Sequence, residues 1–320
     1  MDTTVIFQQM LILVLLMAVG YVVRRLKIID DSANAVMTKL LLRVTVPATL
    51  IYSIASRELN VERRQVPLLF LIIIISFAIV GVISWLAPLA LRAKQAERGA
   101  YADMALFGNV NFMSIPLIIA LISAEVLGSD AMLHAILYNI VFNLTIFSLG
   151  MKLIGGKQAK LNAKLFFSPV MIGGLLAILI FMLGVQVPAT ASTALDFTLQ
   201  VLFRPIGFLG AMTAPMSMIL LGSILGGMKL AEMFRGWRIY AITAVRLAVA
   251  PVAVYFALLP FSIDPTLLQV IIIMNASPMA ISVAMFTINY GVHKEIVGKG
   301  IFISTLLSVL TMPLLLSVLV

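Results

Sequence analysis

The chain contains no cysteine and only two histidines in 320 residues. The absence of cysteine excludes disulfide bonds, thiolate metal sites and thiol nucleophiles. His134 and His293 stand near the ends of apolar runs, and no group of histidines and carboxylates has the spacing of metal ligands. The sequence also lacks a glycine-rich phosphate loop with a lysine, and no base accompanies its serines and threonines. We therefore expect no metal, no cofactor and no enzyme active site.

Charge is also scarce, since 11% of the residues are charged and 62% are hydrophobic, with a mean hydropathy of +1.14. A soluble domain carries about a quarter charged residues. Apolar runs long enough to cross a bilayer recur at residues 5–24, 33–55, 66–91, 99–123, 131–151, 165–185, 206–228, 236–259, 266–289 and 296–319. The composition therefore predicts an all-α polytopic membrane protein with ten transmembrane helices.

The 22 basic and 13 acidic residues give a net charge of +9, and most of the basic residues stand between the apolar runs. One face of the membrane receives Arg24, Arg25, Lys27, Arg92, Lys94, Arg98, Lys152, Lys157, Lys160, Lys164, Lys229, Arg235, Arg238, Lys294 and Lys299. The other face receives Arg57, Arg63 and Arg64. Because positive charge is retained on the cytoplasmic side, we predict a multi-pass protein of the bacterial cytoplasmic membrane with both termini extracytoplasmic. This distribution explains the positive charge without a nucleic-acid partner.

An internal repeat appears when the two halves of the chain are aligned. RVTVPATLIYSIAS (43–56) and AMTAPMSMILLGSI (211–224) each carry a Thr-x-Pro sequence, which contains Pro47 or Pro215. Because each half has five spans, an odd number, the second half must be inserted upside down relative to the first. We predict a 5+5 inverted repeat, with a first five-helix unit at 1–151, a cytoplasmic linker at 152–164 and a second five-helix unit at 165–320.

The fourth and ninth spans carry matching interruptions, GNVNFMSIPLIIALI (108–122) and IIIMNASPMAISVAMF (271–286). Proline cannot donate a backbone hydrogen bond, so we predict helix breaks at Pro116 and Pro278, and also at Pro47 and Pro215. A break within a membrane survives only where protein groups or a hydrated cavity satisfy the backbone. Two positive half-helix amino ends would then meet and bind an anion. The side chains expected to assist them are Asn109, Asn111, Ser114, Asn275 and Ser277.

Arg246, Arg43 and Asp103 are the charged residues within the predicted spans for which a function is considered. Arg246 stands deep in span eight, where it could attract a carboxylate substrate, pair with Asp103 or bind carbonyl groups. Arg43 could form part of an access path for anions or extend its charged end to the cytoplasmic interface. Asp103 is the sole acid within a span, and proton coupling through it stays open. The scarcity of acids disfavours cation exchange.

The interrupted segments resemble those of a known transporter family. GNVNFMSIPLIIALI resembles the fourth-span motif of the auxin efflux carrier family, in which an asparagine lies seven residues before a proline, as Asn109 does before Pro116. ASPMAISVAMFTINYG (276–291) and GIFISTLLSVLTMPLLL (300–316) resemble the ninth and tenth spans of that family. The resemblance implies crossed, broken helices, the fold shared with bile acid/sodium symporters and sodium/proton antiporters.

The short central linker resembles that of the bacterial branch of the family, which includes carriers for malonate or malate. Plant members have a glutamine near the substrate in the fifth span, whereas this chain has Asn139, so auxin is not implied as the substrate. The expected function is efflux of a small mono- or dicarboxylate by alternating access. The alternatives are a proton- or sodium-coupled cation exchanger and a membrane sensor that does not transport. Expected partners are the organic anion, the lipid bilayer, protons through Asp103 and a second copy of the chain in a homodimer.

Overall fold

The computed structural model describes residues 3–159, 167–188, 190, 192–228 and 233–319. Lys160, Lys164 and Lys229 lie outside these residues, as does the second part of the predicted linker. The described part of the chain is helical, and its β-type pairing is limited to one antiparallel bridge between Gly108 and Met279.

The helices of the described residues are α1 (Thr3–Arg25), α2 (Asp31–Ala55), α3 (Arg63–Ala90), α4 (Arg98–Leu106), α5 (Val110–Ser123), α6 (Ala131–Gln158), α7 (Pro169–Leu183), α8 (Ala194–Gly226), α9 (Trp237–Phe261), α10 (Pro265–Ala276), α11 (Ile281–Tyr290) and α12 (Lys294–Leu319). Seven of them, α1, α2, α3, α6, α8, α9 and α12, are long and apolar enough to cross a membrane. Three shorter apolar helices are α5, α7 and α10. The protein is therefore a helical, multi-pass membrane protein.

Polar side chains mark the ends of several apolar helices. Asp30 accepts a hydrogen bond from the backbone N–H of Ala33 (2.7 Å) at the start of α2. That bond, together with one from the Ser32 hydroxyl, lowers the pKa of the Asp30 carboxyl. Asp264 caps α10 in the same way. Because the first N–H groups of a helix have no intrahelical acceptor, these caps fix where each helix begins.

Three prolines follow a wide turn within a helix. Before Pro47, Pro116 and Pro251 the backbone forms a five-residue π-turn, and the residue preceding each proline donates to the carbonyl five residues earlier. A proline ring clashes with the carbonyl four residues before it in a regular α-helix. The wider turn removes that clash and lets the helix continue.

The predicted helix breaks at Pro47, Pro116 and Pro215 are therefore wrong. Pro47 lies inside α2, and Pro116 lies inside α5 just after its π-turn. Pro215 lies in the regular second part of α8, after an irregular turn at Met212. Pro278 lies between α10 and α11, where the helix is interrupted as expected.

Glycines allow two pairs of helices to pack very closely. A Cβ atom on Gly20 of α1 would lie 2.1 Å from the Ile219 carbonyl oxygen of α8, and Gly226 of α8 faces Arg24 further along. A Cβ atom on Gly173 of α7 would lie 2.8 Å from the Pro47 Cα of α2. Because residue numbers rise together along α1 and α8, these two helices are parallel.

One hydroxyl joins these two helix pairs. Thr49 of α2 shares a hydrogen bond with the Thr213 hydroxyl (2.7 Å) and donates to the Gly210 carbonyl (2.9 Å) of α8. We refer to α1, α2, α7 and α8 as the four-helix unit. The crossing described below lies beside it.

Candidate functional site

Two interrupted helices meet inside the protein. The chain is not helical at residues 107–109, between α4 and α5, nor at residues 277–280, between α10 and α11. Two backbone hydrogen bonds join these segments, from the Asn109 N–H to the Pro278 carbonyl (2.7 Å) and from the Ala280 N–H to the Phe107 carbonyl (2.9 Å). Each segment thus satisfies backbone groups that the other leaves unpaired, as a membrane interior requires. We call this arrangement the crossing.

Arg246 binds the carbonyl ends of both interrupted helices. It lies in the π-turn of α9 with 0% of its side chain exposed. Its guanidinium donates to the carbonyls of Leu106 (3.0 Å) and Ala105 (3.3 Å) at the end of α4. It also donates to the carbonyls of Met274 (3.0 Å) and Ser277 (3.0 Å) at the end of α10. One cation therefore supplies hydrogen bonds and positive charge to two negative helix ends.

This geometry decides between the roles considered for Arg246. Its guanidinium does not line the cavity described below, and among the described residues no hydrogen bond or ion pair joins it to Asp103. The expectation that Arg246 binds the substrate is therefore corrected. The sequence does not show which of the three roles Arg246 has, because the carbonyl groups that it binds belong to two segments far apart in the chain.

Gly108 makes room for the guanidinium at the crossing. A Cβ atom at this position would lie 1.9 Å from Arg246 Nη2 and 2.2 Å from the Ser277 hydroxyl oxygen. These distances are far below van der Waals contact, so a larger residue would displace the arginine or the chain. Sequence analysis missed Gly108 as a structural residue, although it directly precedes Asn109 in the interrupted motif.

The opposite ends of the interrupted helices are the amino ends of α5 and α11. Neither start has a side-chain cap, so the first-turn N–H groups keep the partial positive charge of a helix amino end. Near the start of α5, the Asn109 Nδ2 group and the Ser114 hydroxyl are buried without a hydrogen-bond partner in the described part of the chain. The amino side of the crossing therefore presents donors and no carboxylate cap.

Asparagines of α6 orient the polar groups around the crossing. Asn139 Nδ2 donates to Asn111 Oδ1 (2.7 Å), and Asn143 Nδ2 donates to Asn139 Oδ1 (2.8 Å). The Tyr138 hydroxyl donates to Asn275 Oδ1 (3.2 Å), so α6 contacts both interrupted helices. Because Asn111 uses its oxygen as an acceptor here, its Nδ2 group remains available as a donor.

A cavity of about 310 Å³ adjoins the start of α5. Its polar lining includes Asn111 and Asn143 beside the crossing, Lys39 and Arg43 on α2, and Ser282 on α11. Phe142, Ile146 and Phe147 provide part of an apolar wall. Among the described residues, the lining thus combines two cations and amide donors with no carboxylate, and the volume suits a small organic molecule.

The predicted site residues fall into two groups. Asn111 and Arg43 line the cavity. Buried around the crossing, outside that lining, are Asn109, Ser114, Asn139, Asn275 and Ser277. Asn143 and Ser282 were not predicted. Lys39 lies one turn before Arg43 on the same helix face, and Asn143 lies one turn after Asn139, so helical spacing was the available signal.

Asp103 of α4 is an isolated carboxyl group close to the crossing. It is 0% exposed, and neither carboxyl oxygen has a hydrogen-bond partner among the described residues. A Cβ atom on Gly150 of α6 would lie 3.0 Å from its Oδ1 atom, so the two helices are in close contact at this point. The carboxyl group lies less than two turns of helix before the crossing and outside the cavity lining.

The helices and their crossing define a multi-pass membrane protein with a polar cavity beside two interrupted helices. The chain belongs to the family described as "Membrane transport protein", which it matches over residues 5–164 and 158–316. It is also similar to a protein of Methanothermobacter thermautotrophicus named "Uncharacterized transporter", with 23% identity over 317 residues, 98% of this chain and 97% of that protein.

These matches confirm the resemblance at the level of the family, which is that of the auxin efflux carriers. They also support membrane transport as the general function. The bacterial branch and the malonate or malate type stay predictions.

Proposed function

We propose that the protein is a secondary carrier that moves a small organic anion, a mono- or dicarboxylate such as malonate or malate, by alternating access. The observation that carries this proposal is the cavity beside the crossing, where the Asn111 amide lies with Lys39 and Arg43, and where no carboxylate of the described residues lines the cavity. Carboxylate oxygens accept hydrogen bonds and pair with cations, so such a lining favours an anion over a cation.

The charge distribution at the crossing supports the same sign of substrate. Arg246 supplies positive charge at the carbonyl ends of α4 and α10. At the amino ends of α5 and α11, no carboxylate caps the helix or lines the cavity in the described residues. The net field on the amino side is therefore positive, which attracts anions and opposes cation exchange.

Helix packing supports a ten-span, 5+5 inverted repeat when α4–α5 and α10–α11 are each counted as one interrupted span. The first span (α1) packs on the seventh (α8), and the sixth (α7) packs on the second (α2). A two-fold axis that exchanges the halves converts one of these pairs into the other. The two interrupted spans are exchanged by the same axis.

Alternating access is supported by the position of the cavity between two parts of the protein. One wall comes from α2 and α7 of the four-helix unit, and the other comes from α5, α6 and α11 around the crossing. Rocking of one part against the other would open the cavity to each side in turn. By the positive-inside rule Lys39 is on the cytoplasmic half, so this structure would represent the inward-open state, with both termini extracytoplasmic in the bacterial cytoplasmic membrane.

Uptake by proteoliposomes tests the carrier proposal. Vesicles with purified protein should exchange external labelled malonate or malate for internal unlabelled anion, and protein-free vesicles should not. Arg43→Gln should slow exchange, whereas Arg204→Gln, an exposed arginine on α8 outside the cavity lining, should not. Binding of the anion without exchange would indicate a sensor. Transport of sodium or protons with no organic anion would contradict the proposal.

Proton coupling through Asp103 is a further part of this proposal. A carboxyl group without a partner inside a membrane protein favours its neutral form, so a proton can bind there in this state. Asp103→Asn keeps the shape and removes the titration. We expect this variant to retain anion exchange at the wild-type rate but to lose net uptake driven by a pH gradient. Equal gradient-driven uptake in both proteins would exclude this role.

A further inference from the structure

A second, smaller cavity of about 220 Å³ lies away from the crossing, at the predicted cytoplasmic end. It is lined by Lys94, Glu97, Tyr101, Arg235, Gly236, Arg238, Ile239, Ile296 and Lys299. We call it the basic pocket, because the described residues of its lining include four cations and one carboxylate. The residues come from three separate segments of the chain, so the fold alone brings the charges together.

Three helices begin at the walls of the basic pocket. α4, α9 and α12 all begin at its walls, at Arg98, Trp237 and Lys294. Helix amino ends carry partial positive charge and prefer acidic side chains. Glu97 precedes α4 and Glu295 lies in the first turn of α12, while Lys94 and Arg235 add positive charge to the same surface. A bound anion would offset both contributions.

Two of the four cations are already engaged. Arg238 donates to the carbonyls of Leu91 (3.1 Å) and Arg92 (3.2 Å), and its guanidinium lies 5.1 Å from the centre of the Trp237 ring. Lys299 pairs with Glu295. Lys94 and Arg235 have no hydrogen bond or ion pair with any residue that the structure describes, so they are available to a ligand.

Tyr101 contributes a further donor to the basic pocket. Its side chain lines the pocket, and its hydroxyl has no hydrogen bond to the described part of the chain. The hydroxyl, the Lys94 ammonium and the Arg235 guanidinium are donors of the type that phosphate oxygens accept.

Exposed aromatic residues place the basic pocket at the membrane surface. Trp237 is 61% exposed and Phe234 is 50% exposed, next to the lining residues Arg235 and Gly236. Aromatic side chains of this kind are enriched at the level of lipid headgroups. Basic pockets between transmembrane helices on the cytoplasmic side bind anionic headgroups.

We propose that the basic pocket binds the phosphate group of an anionic ligand, and that at this depth the ligand is the headgroup of an anionic phospholipid. Lys94, Arg235 and the Tyr101 hydroxyl contact the phosphate, while Trp237 and Phe234 contact the lipid chain. The site is separate from the cavity at the crossing and does not depend on the transported substrate. Because α4 runs from this pocket to the crossing, the bound headgroup anchors one arm of the crossing to the membrane surface.

Thermal unfolding of the purified full-length protein in detergent tests this proposal. The unfolding midpoint is measured with added phosphatidylglycerol, phosphatidylcholine or inorganic phosphate, since a ligand of the folded state raises the midpoint by mass action. Phosphatidylglycerol should raise it more than phosphatidylcholine does. The double variant Lys94→Gln/Arg235→Gln should lose this difference, with affinity about fivefold weaker for each cation removed.

Lys157→Gln, which removes an exposed lysine outside the pocket, is the matched control and should behave like the wild type. The double variant should unfold at the wild-type midpoint without lipid, because both side chains are exposed. If inorganic phosphate raises the midpoint of the wild type but not of the double variant, and the lipids have no such effect, the pocket binds phosphate but its ligand is soluble. Equal effects of the two lipids, or the same lipid response in wild type and double variant, would overturn the proposal.

Discussion

At the scale of single residues, buried polar groups in an apolar chain are the informative ones. Arg246 and Asp103 are exceptional already in the sequence, because a charge within a membrane span is costly without a partner. The sequence does not reveal the partners. Those of Arg246 are backbone carbonyls of two other helices, which carry no sequence signal, and Asp103 has none in the described residues.

Replacing Arg246 should affect folding rather than substrate affinity. Arg246→Met keeps a long side chain but leaves the carbonyl ends of α4 and α10 buried without donors, at ~1–3 kcal/mol for each unsatisfied group. We expect a strongly lowered unfolding midpoint and loss of the single folded peak in size-exclusion chromatography. Arg204→Met, at an exposed position, should leave both unchanged. A folded Arg246→Met protein with weakened anion binding would contradict this assignment.

Replacing Arg43 should have the opposite outcome. Its side chain is exposed and lines the cavity at the crossing, so its loss removes an attraction for the anion without disturbing packing. For Arg43→Gln we expect a KM about tenfold higher, the typical effect of losing a charge-assisted contact, with an unchanged unfolding midpoint. A wild-type KM in liposome uptake would remove Arg43 from the site.

At the scale of helices, a helix is interrupted where its backbone N–H and carbonyl groups form hydrogen bonds outside that helix. The sequence predicts where two spans are interrupted, because asparagine, glycine and proline are concentrated there. It misplaces the first interruption by several residues, since the π-turn in α5 lets the helix continue through Pro116. That turn depends on backbone hydrogen bonds, so proline alone does not locate the break.

The non-helical segment at Gly108 should tolerate no larger residue. In Gly108→Ala the new methyl group would overlap Arg246 Nη2 and the Ser277 hydroxyl, so the crossing must shift. We expect loss of folded protein or of transport. Gly81→Ala in α3 is the matched control, because a Cβ atom there meets no other atom within 4 Å, and alanine should raise helix stability by up to ~1 kcal/mol. Equal unfolding midpoints for Gly108→Ala and Gly81→Ala would show that the crossing can accommodate the added methyl group.

At the scale of the whole molecule, the arrangement of spans follows from sequence better than the cavity does. Apolar length indicates which segments are helical, and the matching motifs indicate the crossing. The cavity is assembled from α2, α5, α6, α7 and α11, and its lining does not follow from sequence because side-chain direction depends on how these helices pack. Asn111 was the sole lining residue predicted to bind the substrate.

The absence of cysteine makes the proposed alternation directly measurable, because an introduced thiol has no background. Ser282 of α11 lies in the lining opposite Lys39 and Arg43 of α2. In inside-out vesicles, Ser282→Cys should react with a membrane-impermeant maleimide, and malonate or malate should slow the reaction by occupying the cavity. In right-side-out vesicles labelling should be slower but measurable, since alternation exposes the cavity to the other side.

The control variant is Gly298→Cys. A side chain at this position meets open space, so the cysteine should react at a rate independent of the anion. Labelling of Ser282→Cys from one side only, unchanged by transport conditions, would exclude alternation of this cavity between the two faces of the membrane.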